Sequence, residues 1–195
     1  MGPITSIGNT YGSTVPYGGG VLDPGLLAAG RRAGEGLVAR GETVAVAEGS
    51  CGGLVSAALL AVPGASAYYR GGAVIYTGAA VRSLLGTAVA RPEPLRGASE
   101  PFARWLAEEI AADLGTSWGL GEGGATGPSG NPYGDPPGHC WLAVHGPAPA
   151  TRHLLTGDDR RAENMVAFAT AALELLADQL RTPPASDGAA PPHPI

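Results

Sequence analysis

Residues 43–60 read TVAVAEGSCGGLVSAALL, and the fold follows from that stretch. Residues 43–47 are a short apolar run with β-branched members, the composition of a strand buried on both faces. Residues 53–61 predict a helix, and a Gly-Ser-Cys-Gly-Gly turn joins the two. Strand, tight turn and helix make the first half of a β-α-β crossover, which closes by parallel pairing. Outward from it, residues 26–40 carry apolar positions at helical spacing and stop at Gly41, a helix-ending glycine. Residues 72–77 (GAVIYT) predict a strand and 79–85 a short helix. Ser99, followed by Glu100 and Pro101, opens a helix that runs to about residue 114. Residues 117–120 predict a short strand, and the stretch 121–140 (GEGGATGPSGNPYGDPPGHC) reads as a long loop. Residues 140–145 and 151–156 pair as a hairpin, and 159–182 form a long amphipathic helix with acids early and Arg181 late. The alternation predicts an α/β fold, a three-layer αβα sandwich around a mainly parallel or mixed sheet. No internal repeat is visible.

The chain has 195 residues, of which 44% are hydrophobic and 15% charged, so it has the material for one folded domain. Gly (32) and Pro (18) together make about a quarter of it, much of that at the ends. Residues 1–22 are expected to form a flexible Gly-rich arm and 183–195 a disordered Pro/Ala tail, leaving 23–182 as the domain. Net charge is −5, the wrong sign for a nucleic-acid backbone binder. Every basic residue other than histidine is Arg, which excludes a lysine Schiff base, a Walker lysine and a Ser–Lys dyad. Cys51 and Cys140 make neither a disulfide framework nor a zinc site, and no metal or cofactor is implied. There is no apolar run long enough to span a membrane and no visible signal peptide, so a cytoplasmic protein is expected, with homo-oligomerisation open.

Three segments could carry chemistry. The 49–53 turn lies beyond the carboxyl end of a strand, where α/β sheets collect ligands. Its glycines would expose backbone N–H groups to an anion at a helix start, or would only let strand and helix pack closely. Ser50 and Cys51 stand where a nucleophile would; a Cys at a helix start favours the thiolate, and a Ser needs a neighbouring base. In the 121–140 stretch, Glu122 and Asp135 are the acids and His139 the one base that titrates near neutrality. The third segment, RGGAVIYTGAAVRSLLG (70–86), brings Tyr76, Thr77 and Arg82, an Arg that could fork onto a phosphate. His145 and His153 are spaced for no metal site, and residues 158–161 read as a solvated helix start.

In this order the three segments resemble the CinA C-terminal domain family. Ala47–Gly53 is similar to its AESCTGG turn, and Val62–Gly72 (VPGASAYYRGG) to its V-P-G-A-S run nearly residue for residue. Ile75-Tyr76-Thr77, Leu84-Leu85-Gly86, Ser99-Glu100, Gly124–Pro128, Pro137-Gly138 and Gly157-Asp158 follow in family order, so the resemblance spans about 23–182. It implies an amidohydrolase that converts nicotinamide mononucleotide to nicotinate mononucleotide and ammonia through a Ser–Lys pair. Here the Ser position is Gly49 and the Lys position Val81; Gly78 replaces an Asn and Cys51 a Thr. The stretch 121–135 looks like a divergent branch with an acidic loop.

Three readings follow: an amidohydrolase with a relocated nucleophile at Ser50 or Cys51 served by His139 or Glu122; a nucleotide-binding or sensor domain that kept the pocket and lost hydrolysis; or a hydrolase of another small amide or phosphorylated metabolite using water activated by Glu48 or Glu122. All place the site where residues 48–53, 76–82 and 122–130 converge. Gly52, Gly53, Tyr76, Thr77, Arg82, Glu122, Gly124, Thr126 and Gly127 are the expected contacts to a small nucleotide-like ligand.

Overall fold

A computed structural model describes residues 22–86, 88–91 and 95–183. The expected arm at 1–22 and tail at 183–195 lie almost wholly outside the described residues. The elements run α1 (Pro24–Arg40), β1 (Val44–Glu48), α2 (Leu54–Leu60), a 3-10 turn at Ala65–Ala67, β2 (Tyr69–Val74), α3 (Gly78–Leu84), α4 (Glu100–Leu114), β3 (Trp118–Ala125), β4 (His139–His145), β5 (Ala150–Leu155) and α5 (Arg161–Arg181). The sheet order is β2-β1-β3-β4-β5. β2, β1 and β3 run parallel, whereas β3, β4 and β5 are antiparallel, so the sheet is mixed in two halves.

Local chemistry explains most boundaries. Asp23 caps α1 by accepting from the N–H groups of Gly25 and Leu26, and Gly41 ends it in the left-handed conformation. The Ser99 hydroxyl accepts from Phe102 N–H at the start of α4. Thr77 does the same for Ala80 in α3.

Two strands depart from the sequence expectation. β2 occupies 69–74 rather than 72–77, because it pairs with β1 through Gly71 and Gly72, where a glycine pair hides the strand signal. At Gly72 a side chain would collide with Tyr69, Ser56 and the Val46 carbonyl, so the glycine lets α2 and β1 close on this strand. β3 is eight residues long and takes in Gly119, Gly121, Gly123 and Gly124, so the first quarter of the expected loop, residues 121–125, is strand. A Cβ at Gly119 would lie 1.8 Å from the Ala107 carbonyl oxygen, and one at Gly121 2.1 Å from that of Ala103. These glycines bring α4 down onto the sheet; they are not loop residues.

The alternation along β1 sorts the core into two layers. Val44 and Val46 join Trp118, Leu120, Leu142 and Phe168 in the large cluster beneath α1, α2 and α5. Ala45 and Ala47 face α3 and α4, with Trp105, Leu106 and Ile110. Each fully buried large side chain in these layers contributes roughly 1.5–3 kcal/mol.

Candidate functional site

At the carboxyl end of the parallel half, Glu48 of β1 and Glu122 of β3 lie opposite each other in register, both fully buried. Each is enclosed by donors from the same turn. Glu48 Oε2 accepts from the N–H groups of Gly53 (2.9 Å) and Val55 (3.0 Å), and its Oε1 from the N–H (2.9 Å) and hydroxyl (2.7 Å) of Ser56. It therefore caps α2, whose own N-cap is a glycine without a side chain. Burial pushes the Glu48 carboxyl above its ordinary range, against hydrogen bonds from Ser56 and Val55 that lower it. Glu122 Oε2 accepts from the N–H groups of Gly49 (3.1 Å), Ser50 (2.8 Å) and Cys51 (2.9 Å). Its Oε1 accepts from the Ser50 hydroxyl and from the Cys140 thiol, the latter at 3.3 Å.

This arrangement corrects the expected anion cradle. The turn's N–H groups at 49, 50, 51 and 53 already serve the protein's own carboxylates. Gly52 and Gly53 hold positive φ angles of 66° and 98° and are turn-forming residues outside the cleft lining. Glu48 and Glu122 likewise anchor the turn and do not line the cleft.

The cleft itself, about 250 Å³, opens where the three sequence segments were expected to meet. Gly49 and Ser50 line one side, Tyr76, Thr77, Gly78 and Val81 a second, and Gly123 and Gly124 the floor. The rest of the lining was not anticipated; it includes Arg91 and Ala98 before α4, Phe102 in its first turn, and Asn131 and Tyr133 of the β3–β4 loop. The region before Ser99 has no periodicity to reveal it; the Asn-Pro-Tyr-Gly-Asp run at 131–135 was the available signal.

The remaining candidates divide. Ser50 is 6% exposed and borders the cleft, with its hydroxyl committed to Glu122. Cys51 is fully buried in the apolar core, and burial raises its thiol well above the ordinary value. This reverses the expected thiolate, because the side chain points into the core rather than along the helix axis field. Tyr76 is exposed; Arg161 stacks on its ring at 5.8 Å and donates to its hydroxyl at 3.3 Å. Thr77 is spent on the α3 cap but stays in the lining. Arg82 lines a neighbouring groove with Leu85, Val89 and Trp105 instead. Thr126 is buried, its carbonyl accepting from Asn164, and Gly127 accepts from Arg161; both sit behind the cleft, at the base of α5. His139 is buried and hydrogen-bonds the Ala98 carbonyl, so it does not serve Ser50. Asp158 is held at about 2 by hydrogen bonds from the Arg160 side chain and backbone, a local turn at the start of α5. Among the described residues no group of three His, Cys, Asp or Glu is placed to hold a metal ion, and no helix is long and apolar enough to cross a membrane.

Comparison with known proteins places this geometry. The family model described as CinA C-terminal domain matches residues 28–180. A CinA-like protein of Anaeromyxobacter sp. (strain K) is 42% identical over 147 residues, covering 74% of this chain and 36% of the relative. A CinA-like protein of Gloeobacter violaceus is 42% identical over 111 residues, covering 57% of this chain and 26% of that protein. The chain thus spans about a third or less of these relatives' length. Among solved structures, the competence/damage inducible protein CihA from Agrobacterium tumefaciens superposes with a TM-score of 0.73 at 26% identity, over 83% of this chain and 99% of that one. The competence damage-inducible protein A from Klebsiella pneumoniae gives 0.71 at 28%, over 80% and 96%. With the family model spanning residues 28–180, this chain belongs to the CinA C-terminal domain family.

Proposed function

We propose that the domain binds a small nicotinamide-nucleotide-like ligand in the cleft and does not hydrolyse it through the Ser–Lys pair that the family resemblance implies. One observation carries this reading. Gly49 and Val81, the positions of that pair, both line the same cleft, and neither side chain can attack or take a proton. The pocket is retained around an empty pair of positions. Losing nucleophile and base leaves only orientation and binding, which in a disabled serine protease supply roughly 10³–10⁴-fold over water.

The test is nicotinamide mononucleotide binding by calorimetry, with ammonia and nicotinate mononucleotide release followed in parallel. Binding without release is expected of the native chain. A Gly49→Ser/Val81→Lys variant is expected to gain release. A Cβ at Gly49 would sit 3.0 Å from the Glu122 carbonyl oxygen, so β3 must give by a few tenths of an ångström to admit the serine. No binding at any concentration tested would sink the reading.

A second reading has its own observation: the Ser50 hydroxyl borders the cleft and donates to the buried Glu122 carboxylate, a nucleophile beside an acceptor. It predicts release by the native chain, abolished in Ser50→Ala.

A further inference from the structure

Beside the cleft runs a second groove, about 390 Å³ in volume, that the proposed binding does not use. The two cavities meet, since Val81 and Arg91 line both. Val81, Leu85, Val89 and Trp105 give the groove an apolar surface, and the charged residues lining it are Arg82 and Arg91. Its wall is fixed from α4. Glu109 accepts from the N–H groups of Ala88 (2.9 Å) and Val89 (2.6 Å), and Asp113 from that of Gly86 (2.6 Å). The Trp105 indole N–H donates to the Val89 carbonyl at 3.2 Å. The two acids are thus committed to backbone N–H groups, and neither lines the groove.

The charge here runs against that of the chain. Asp and Glu number 17 against 12 Arg, yet among the described residues no acid lines the cleft or the groove. Arg82 stands where the two meet. It is exposed, and among the described residues no carboxylate pairs with it. A Cβ at Gly78 would lie 3.5 Å from Arg82 Nη1, so the guanidinium turns back along α3 toward a residue of the cleft lining. Arg91, at the same junction, stacks over Trp105 at 5.8 Å and donates to the Leu95 carbonyl at 3.3 Å. A guanidinium fork between a nucleotide cleft and an apolar groove matches a diphosphate with a flat, largely apolar ring beyond it. We propose that the groove takes the second half of a dinucleotide, with its diphosphate at Arg82 and its base against Leu85, Val89 and Trp105. The sizes agree. The cleft alone, about 250 Å³, falls below the roughly 300–1,000 Å³ of small-molecule sites, and cleft and groove together fall within that range.

The proposal names the ligand class of the nucleotide reading and rests on it for the half that fills the cleft; the test separates the two. Three probes are titrated into the native chain by calorimetry: nicotinamide mononucleotide for the cleft, ADP for the groove, and oxidised nicotinamide adenine dinucleotide for both. The dinucleotide should bind at least about ten-fold tighter than the mononucleotide, because joining the halves makes the second contact intramolecular. Arg82→Ala should weaken ADP and the dinucleotide about ten-fold, the loss of a charge-assisted hydrogen bond. Ala90 is exposed and lines the groove but not the cleft. Ala90→Glu should therefore weaken the same two probes and leave the mononucleotide unchanged. In NMR spectra ADP should move the amide signals of Gly86 and Val89, and the mononucleotide those of Ser50 and Gly124. Where the mononucleotide binds, a dinucleotide that binds no tighter, or that is unchanged in either variant, overturns the inference and leaves the nucleotide reading standing. ADP binding that both substitutions weaken, without mononucleotide binding, keeps the groove and refutes the cleft reading. No binding of any probe refutes both.

Discussion

The two faces of the sheet are built to different scales. Beneath α1, α2 and α5 the strands present Val44, Val46, Trp118, Leu120 and Leu142, and the rows end in Glu48 and Glu122. Beneath α4 the same strands present Ala45, Ala47, Gly119, Gly121 and Ala143, and the row ends in Gly123. On the first face side chains fill the space between layers. On the second the helix backbone comes down to the strand. The cleft lies at the end of the small-residue face, where glycines leave room, and the carboxylates that brace it lie on the other. Large side-chain packing and the cleft thus lie on opposite sides of one sheet.

The largest expected effect tests the large-residue face. Phe168 is fully buried, and Phe168→Ala should cost about 3–5 kcal/mol in urea unfolding by leaving a cavity. If the faces differ as described, adding one methyl on the other face should hurt on a similar scale. Gly119→Ala, with its Cβ 1.8 Å from a helix carbonyl, should cost about 3 kcal/mol, at or beyond the usual cost of overpacking. A near-neutral Gly119→Ala would break the comparison, because α4 would then have slack.

The smallest effect sharpens it at the Glu48 end. The folded-state carboxyl is raised above its ordinary value of 4.5. Its contribution is therefore fully present below the unfolded-state value and is lost as pH rises through the folded-state value. The native chain should lose stability relative to Glu48→Gln as pH climbs from about 4.5, and the two unfolding curves should keep a constant separation below it. A separation that does not change with pH would show that Glu48 meets enough donors to ionise at no cost.

One motif recurs across both faces. Buried carboxylates are satisfied by backbone N–H groups rather than by cations: Glu48 and Glu122 in the turn, and Glu109 with Ala88 and Val89. Helix starts and tight turns provide such donors in groups, so a chain with no lysine has this route to a satisfied buried acid.

Much of this was legible in the residues. The strand–turn–helix at 43–60, the stop at Gly41, the start at Ser99 and the hairpin of β4 and β5 each rest on neighbours in sequence, and local rules find them. The family motifs are legible in the same way, since they need only the identity of each residue. Tertiary structure alone decided which glycines pack and which turn, since the atom that a Cβ would meet at Gly119 or Gly121 belongs to another element. It also decided that the turn's N–H groups are taken: β1 and β3 set Glu48 against Glu122, and that register depends on how distant segments pair. The wall at Ala98 is of the same kind. A left-handed alanine has no signature in sequence, and the histidine that holds it arrives from a strand formed long after it in the chain.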